Sequence, residues 1–134
     1  MKILETKKDF ESAVYDILRQ KPAYLYIATY GINLSTEFIK KLFKNVPKNT
    51  TLVVGLRPND NDWTSSYIGS WFHGTWVTVR TYKDCHTKMI VSDKGCIVGG
   101  RNLTDSEWED RSFLLTSKSS IKACKSTFEK MLKK

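Results

Sequence analysis

The segment "CHTKMIVSDKGCIVGGRN", residues 85–102, gathers several residue types that together can do chemistry. His86 can serve as a nucleophile or as a proton donor and acceptor. Lys88 stands two positions on. Side chains alternate along an extended strand, so the two share a face and can act on one anionic group. Gly99 and Gly100 let backbone approach an anion closely. Asn102 can donate a hydrogen bond to a phosphoryl oxygen. Asp93 falls at a turn, from which it can orient a basic group of the site. The chemistry expected is phosphoryl transfer, with His86, Lys88, Asp93 and Asn102 as the catalytic set. Lys88, Gly99, Gly100 and Asn102 would bind the phosphate. Lys88 and Asp93 can also be explained as exposed strand and turn residues, since Asp93-Lys94-Gly95 is a good turn in its own right.

Such residues need a scaffold, and the flanking sequence supplies one. Residues 5–20 open with Thr6 and Asp9 at helix-start spacing and continue with Phe10, Ala13, Val14, Ile17 and Leu18. That is an amphipathic helix pattern, stopped at Pro22. "AYLYIATYGI" (23–32) and "TLVVGL" (51–56) read as buried strands. Between them Ser35 or Thr36 can cap a helix with apolar Phe38, Ile39, Leu42 and Phe43. The order strand, helix, strand predicts a parallel pair with a right-handed crossover. Residues 57–74 begin as a polar loop and turn to a short helix around Trp63–Trp71, and "TWVTVRTY" (75–82) alternates as a strand. Residues 87–92 and 95–100 form a hairpin. Residues 112–117 make a last strand, and 118–132 a basic helix with Ile121, Cys124, Phe128 and Leu132 inward. The expectation is one α/β domain over residues 1–134, a mixed β-sheet flanked by helices.

Composition narrows the partners. The chain has 134 residues and a net charge of +8, which favours polyanions: nucleic acid first, anionic lipid second. Apolar content is 40 %, enough for a globular core, yet no apolar run nears the ~20 residues of a membrane span. The first residues turn polar too soon for a signal peptide. Cys85, Cys96 and Cys124 are too few and too scattered for a disulfide framework, so a reducing, cytoplasmic setting is expected. With two histidines and no paired thiols, no structural zinc is expected.

The spacing His86-Thr87-Lys88, "MIVS", Asp93 and then "GGRN" resembles the HKD motif of the phospholipase D superfamily. The stretch between Asp93 and Gly99 is one residue shorter than usual in that family, and Gly100 stands where serine is common. The opening "YLYIATYGI", helix, "TLVVGL" also looks like such a domain. So does "EWEDRSFLL" after the asparagine, where Asp110, or Glu109, would be the supporting acidic residue. The resemblance implies a phospholipase D-like fold. It also implies a phosphohistidine mechanism in which one histidine attacks phosphorus and a second protonates the leaving oxygen, with no metal or other cofactor.

Only one such motif is present, as in the short Nuc-type endonucleases. The resemblance therefore implies a homodimer in which the mate supplies the second His86. His73, in "SWFHGTW", has no companion lysine and reads as a packing or substrate-contact residue. Arg57, Arg80 and Arg101, with Trp63 and Trp71, would contact nucleic acid by charge and base stacking. Tyr67 and Trp76 lie in the same region, and core packing explains any of these tryptophans as well. The function expected is a metal-independent endonuclease, with DNA ahead of RNA as substrate and no membrane partner. The alternatives are a non-catalytic nucleic-acid-binding module of the same fold and a phospholipase-type lipid hydrolase.

Overall fold

The computed structural model describes residues 1–29, 37–56, 77–81, 88–99 and 111–132. Among them, the first helix, α1 (Lys7–Arg19), starts where the sequence signals it. Thr6 Oγ1 accepts from the Asp9 N–H at 3.0 Å, and the Asp9 carboxylate accepts from the Thr6 N–H at 3.3 Å. This reciprocal cap satisfies donors that the first turn leaves unmade. The buried face is Phe10, Ala13, Val14, Ile17 and Leu18, as the periodicity predicts. Helix α2 (Glu37–Lys44) buries Phe38, Ile39, Leu42 and Phe43, and α3 spans Lys118–Leu132. The expected caps Ser35 and Thr36, the helix around Trp63–Trp71 and the inward Leu132 side chain lie outside the described residues.

Seven strands among the described residues form one sheet: β1 (Lys2–Leu4), β2 (Tyr24–Ala28), β3 (Thr51–Leu56), β4 (Val77–Thr81), β5 (Met89–Ser92), β6 (Gly95–Gly99) and β7 (Ser112–Leu115). Their spatial order is β1-β7-β6-β5-β2-β3-β4. β2, β3 and β4 are parallel, while β5, β6, β7 and β1 run antiparallel to their neighbours. The sheet is mixed, as expected. β1 is a strand the sequence does not announce: three residues are too short to show alternation, and it forms by pairing with β7.

Period-two alternation sorts the strands' side chains into two cores. Leu25, Ile27, Leu52, Val54, Ile90 and Ile97 pack with α1 and α2 on one face. Ala28, Met89, Val91 and Cys96 pack with Cys124 and Phe128 of α3 on the other. There the Tyr26 and Phe128 rings stack with centroids 5.0 Å apart. Among the described residues no helix is long and apolar enough to cross a membrane.

The Cys96 thiol is fully buried and donates to Cys124 Sγ at 3.2 Å. Burial first, then that hydrogen bond, pushes its pKa up to about 12 from an ordinary value of 9.0. The folded state thus holds this proton more tightly than the unfolded chain. Its contribution to stability should therefore fall as pH rises from 9.0 towards about 12. Urea unfolding across that window should show a shallower loss of stability with pH in Cys96→Ala than in the wild type. Equal slopes would mean that Cys96 ionises alike in both states.

Candidate functional site

Four strand ends meet at one end of the sheet. Ala28 of β2 pairs with Met89 of β5, which brings Thr29, just after β2, beside Lys88, just before β5. The Gly99 N–H donates to the Lys88 carbonyl at 3.2 Å, and Gly99 is the register partner of Ser112. Thr29, Lys88, Gly99 and Ser112 therefore form one row across β2, β5, β6 and β7. Ile27, Ile90, Ile97 and Leu114, each two residues away, pack on the α1–α2 side, so alternation puts the row on that face.

A small cleft opens along this row, lined by Thr29, Lys88, Gly99 and Ser112 over Phe10 and Ile90. Its volume is about 10 Å³, on the order of one water molecule. Lys88 is half-buried, while Thr29 and Ser112 are 1 % and 0 % exposed. The Thr29 N–H donates to the Gly55 carbonyl at 3.1 Å, tying this strand end to β3. Ser112 Oγ is buried with no hydrogen-bond partner among the described residues.

Gly99 is indispensable to this geometry. Its φ is +141°, and a Cβ there would stand 2.6 Å from the Arg111 carbonyl oxygen and 2.7 Å from Ser112 Cα. Any side chain would push β7 away. The row combines a cation, two hydroxyl-bearing side chains and a stretch of backbone without a side chain. That combination suits an oxyanion.

The structure brings Lys88 and Gly99 together and separates Asp93 from them. Asp93 follows β5 at its far end, roughly 17 Å along the extended chain from Lys88. Its Oδ1 accepts from the Ala23 N–H at 2.9 Å, and its Oδ2 lies 4.0 Å from Lys94 Nζ. The expected place of Asp93 in the catalytic set is thereby corrected: it holds the turn to the start of β2. Arg80 lies on β4, three strands across the sheet from β5. His86, Gly100, Arg101, Asn102, Glu109, Asp110, Arg57, Trp63 and Trp71 lie outside the described residues, as do Tyr67, His73 and Trp76. Thr29 and Ser112 escaped the sequence analysis. The signal was there: each is a hydroxyl at a strand end, in phase with buried positions of its strand. Among the described residues, no group of three or more His, Cys, Asp or Glu stands where it could hold a metal ion.

No protein-family model matches the chain, and no curated protein matches it significantly. Solved structures do resemble it. Polyphosphate kinase from Porphyromonas gingivalis superposes with a TM-score of 0.70 at 6 % identity, over 91 % of this chain and 23 % of that one. TrmBL2, an archaeal chromatin protein with a novel mode of DNA binding, superposes with a TM-score of 0.68 at 14 % identity, over 98 % of this chain and 52 % of that one. The chain thus spans about a quarter of the first and about half of the second. The fold is α/β, a mixed sheet flanked by helices, and these two solved structures share it. At these identities the likeness carries the fold and nothing of activity.

Two substitutions probe the scaffold of the row. Gly99→Ala should cost about 2 kcal/mol in urea unfolding, from backbone strain and the clash with β7. Asp93→Ala should cost about 1 kcal/mol through the lost acceptor for Ala23. It should leave ligand binding at the cleft unchanged. A large loss of binding with unchanged stability would put Asp93 back in the site.

Proposed function

We propose that this chain is a metal-independent phosphodiesterase acting on nucleic acid, with one active site completed across a homodimer. The observation that supports it most is the row itself. Two glycine and lysine positions expected to hold a phosphate, Gly99 and Lys88, are neighbours across β5 and β6, joined by a backbone hydrogen bond. His86 is two residues from Lys88 in sequence, and Gly100, Arg101 and Asn102 directly follow Gly99. The net charge of +8 draws a polyanion. That TrmBL2 is a DNA-binding protein of the same fold is consistent with such a partner.

In this mechanism a His86 ring nitrogen attacks phosphorus and the bond from phosphorus to the leaving sugar oxygen breaks. The mate's His86, protonated, gives that oxygen its proton. Lys88 and Asn102 balance the charge on the non-bridging oxygens. Water, deprotonated by the mate's now neutral His86, then attacks phosphorus. The first histidine is released and a phosphate monoester remains. The whole chain, residues 1–134, would act as the one domain of each subunit.

Supercoiled plasmid in excess EDTA is the direct test. Wild type should nick it, while His86→Ala and Lys88→Ala should each lose at least about 100-fold in rate with folding intact. Light scattering on the active sample should give twice the 15.5 kDa of one chain. Cleavage by a monomer would remove the shared site. Plasmid bound but not cut would leave the binding module as the function, and the DNA-binding neighbour is the observation that favours it. Turnover of lipid vesicles with indifference to plasmid would overturn both.

A further inference from the structure

Four polar residues are buried among the described part of the chain: Thr29, Thr50, Ser92 and Ser112. Two of them show how this protein treats a buried hydroxyl. Thr50 Oγ1 donates to the Pro22 carbonyl at 2.5 Å. Ser92 Oγ donates to the Gly95 carbonyl at 2.7 Å and accepts from the Lys94 and Gly95 N–H groups, each at 3.1 Å. Ser112 is the exception, 0 % exposed with an Oγ that makes no hydrogen bond among the described residues. An unmade hydroxyl in a core is a standing cost, so such a group calls for a partner.

Its position says what that partner is. Ser112 lines the same cleft as Lys88. Oγ lies 3.2 Å from where a Cβ on Gly99 would stand, so a side chain at 99 would crowd the hydroxyl as well as the β7 backbone. Ser112 and Lys88 both line this one small space, and a hydroxyl-bearing residue beside a cationic one complements an oxygen that carries charge. We propose that Ser112 is a phosphate-binding residue of this site, its hydroxyl donating to a non-bridging phosphoryl oxygen held by Lys88. This rests on the phosphodiesterase reading and adds to it a neutral donor on β7. The hydroxyl is desolvated in advance and meets its acceptor only when the phosphate is bound. It has no protein hydrogen bond among the described residues to surrender.

The test is an NMR titration with inorganic phosphate of wild type, Ser112→Ala, Ser112→Cys and Lys88→Ala, with unfolding measured on each. Wild type should saturate. Ser112→Ala should weaken phosphate about tenfold, the worth of one hydrogen bond to a charged group, while its unfolding midpoint stays level or rises. Ser112→Cys keeps the shape and removes the strong donor, so it should weaken phosphate equally and stands in if the alanine variant folds poorly. If either variant binds phosphate like the wild type while Lys88→Ala does not, Ser112 merely holds a structural water. The inference on Ser112 then fails and the phosphodiesterase reading survives. If Lys88→Ala also binds like the wild type, or the wild type does not bind, both fall.

Discussion

The hydroxyl of Ser92 is buried at the turn that joins β5 to β6, and it accepts from two backbone N–H groups there while donating to the Gly95 carbonyl. This closes the turn on only Asp93 and Lys94, so Ser92 pairs with Gly95 and every pair beyond is counted from that point. Four residues up the hairpin the count brings Gly99 opposite Lys88. Side chains in a strand alternate, so one added residue in β6 would turn the glycine to the α3 face. The five residues between Asp93 and Gly99 are therefore the length this turn requires. It puts the one residue without a side chain where β6 must approach β7.

The surrounding layers hold that row from both sides. Beneath it, Phe10 of α1 meets Ile27, Ile90 and Ile97 in one continuous core. Behind it, α3 presses Cys124 and Phe128 onto Met89, Val91 and Cys96. The short strands β5 and β6 are thus packed on both faces, and their ends cannot drift without opening one core or the other. Lys88 is left half-buried at the rim, with its carbonyl bonded to Gly99 and its side chain directed to the α1–α2 face. A cation placed this way loses part of its water shell before any ligand arrives, which strengthens its attraction for an anion.

Much of this was legible in the residues. Thr6 and Asp9 announce α1 and form its cap, the apolar spacing of α1 and α2 names their buried faces, and Asp93-Lys94-Gly95 marks the hairpin. β1 was not legible because three residues carry no period and depend on β7, far along the chain, for their hydrogen bonds. Ser112 and Thr29 were not legible for a related reason. A hydroxyl at a strand end looks like a boundary residue until the register of four strands shows that it shares a cleft with Lys88. Asp93 was misassigned because spacing along a chain does not reveal direction. The four residues between Lys88 and Asp93 are the ones that carry them to opposite ends of β5.

That separation gives the aspartate a mechanical meaning. Its carboxylate accepts from the Ala23 N–H, one residue before β2, and so pins the turn end of β5 to the start of β2. The pairs Ser92 with Leu25 and Met89 with Ala28 are in register with this anchor, as is the meeting of Lys88 and Thr29 at the other end. A slip of one residue would break the carboxylate bond and reverse the faces of β5 at once, burying the lysine side chain under α3. Asp93 and Lys88 are coupled through the strand as a ruler rather than through a shared substrate. A fixed spacing between them is then a requirement of register, even though only one of the two stands at the cleft.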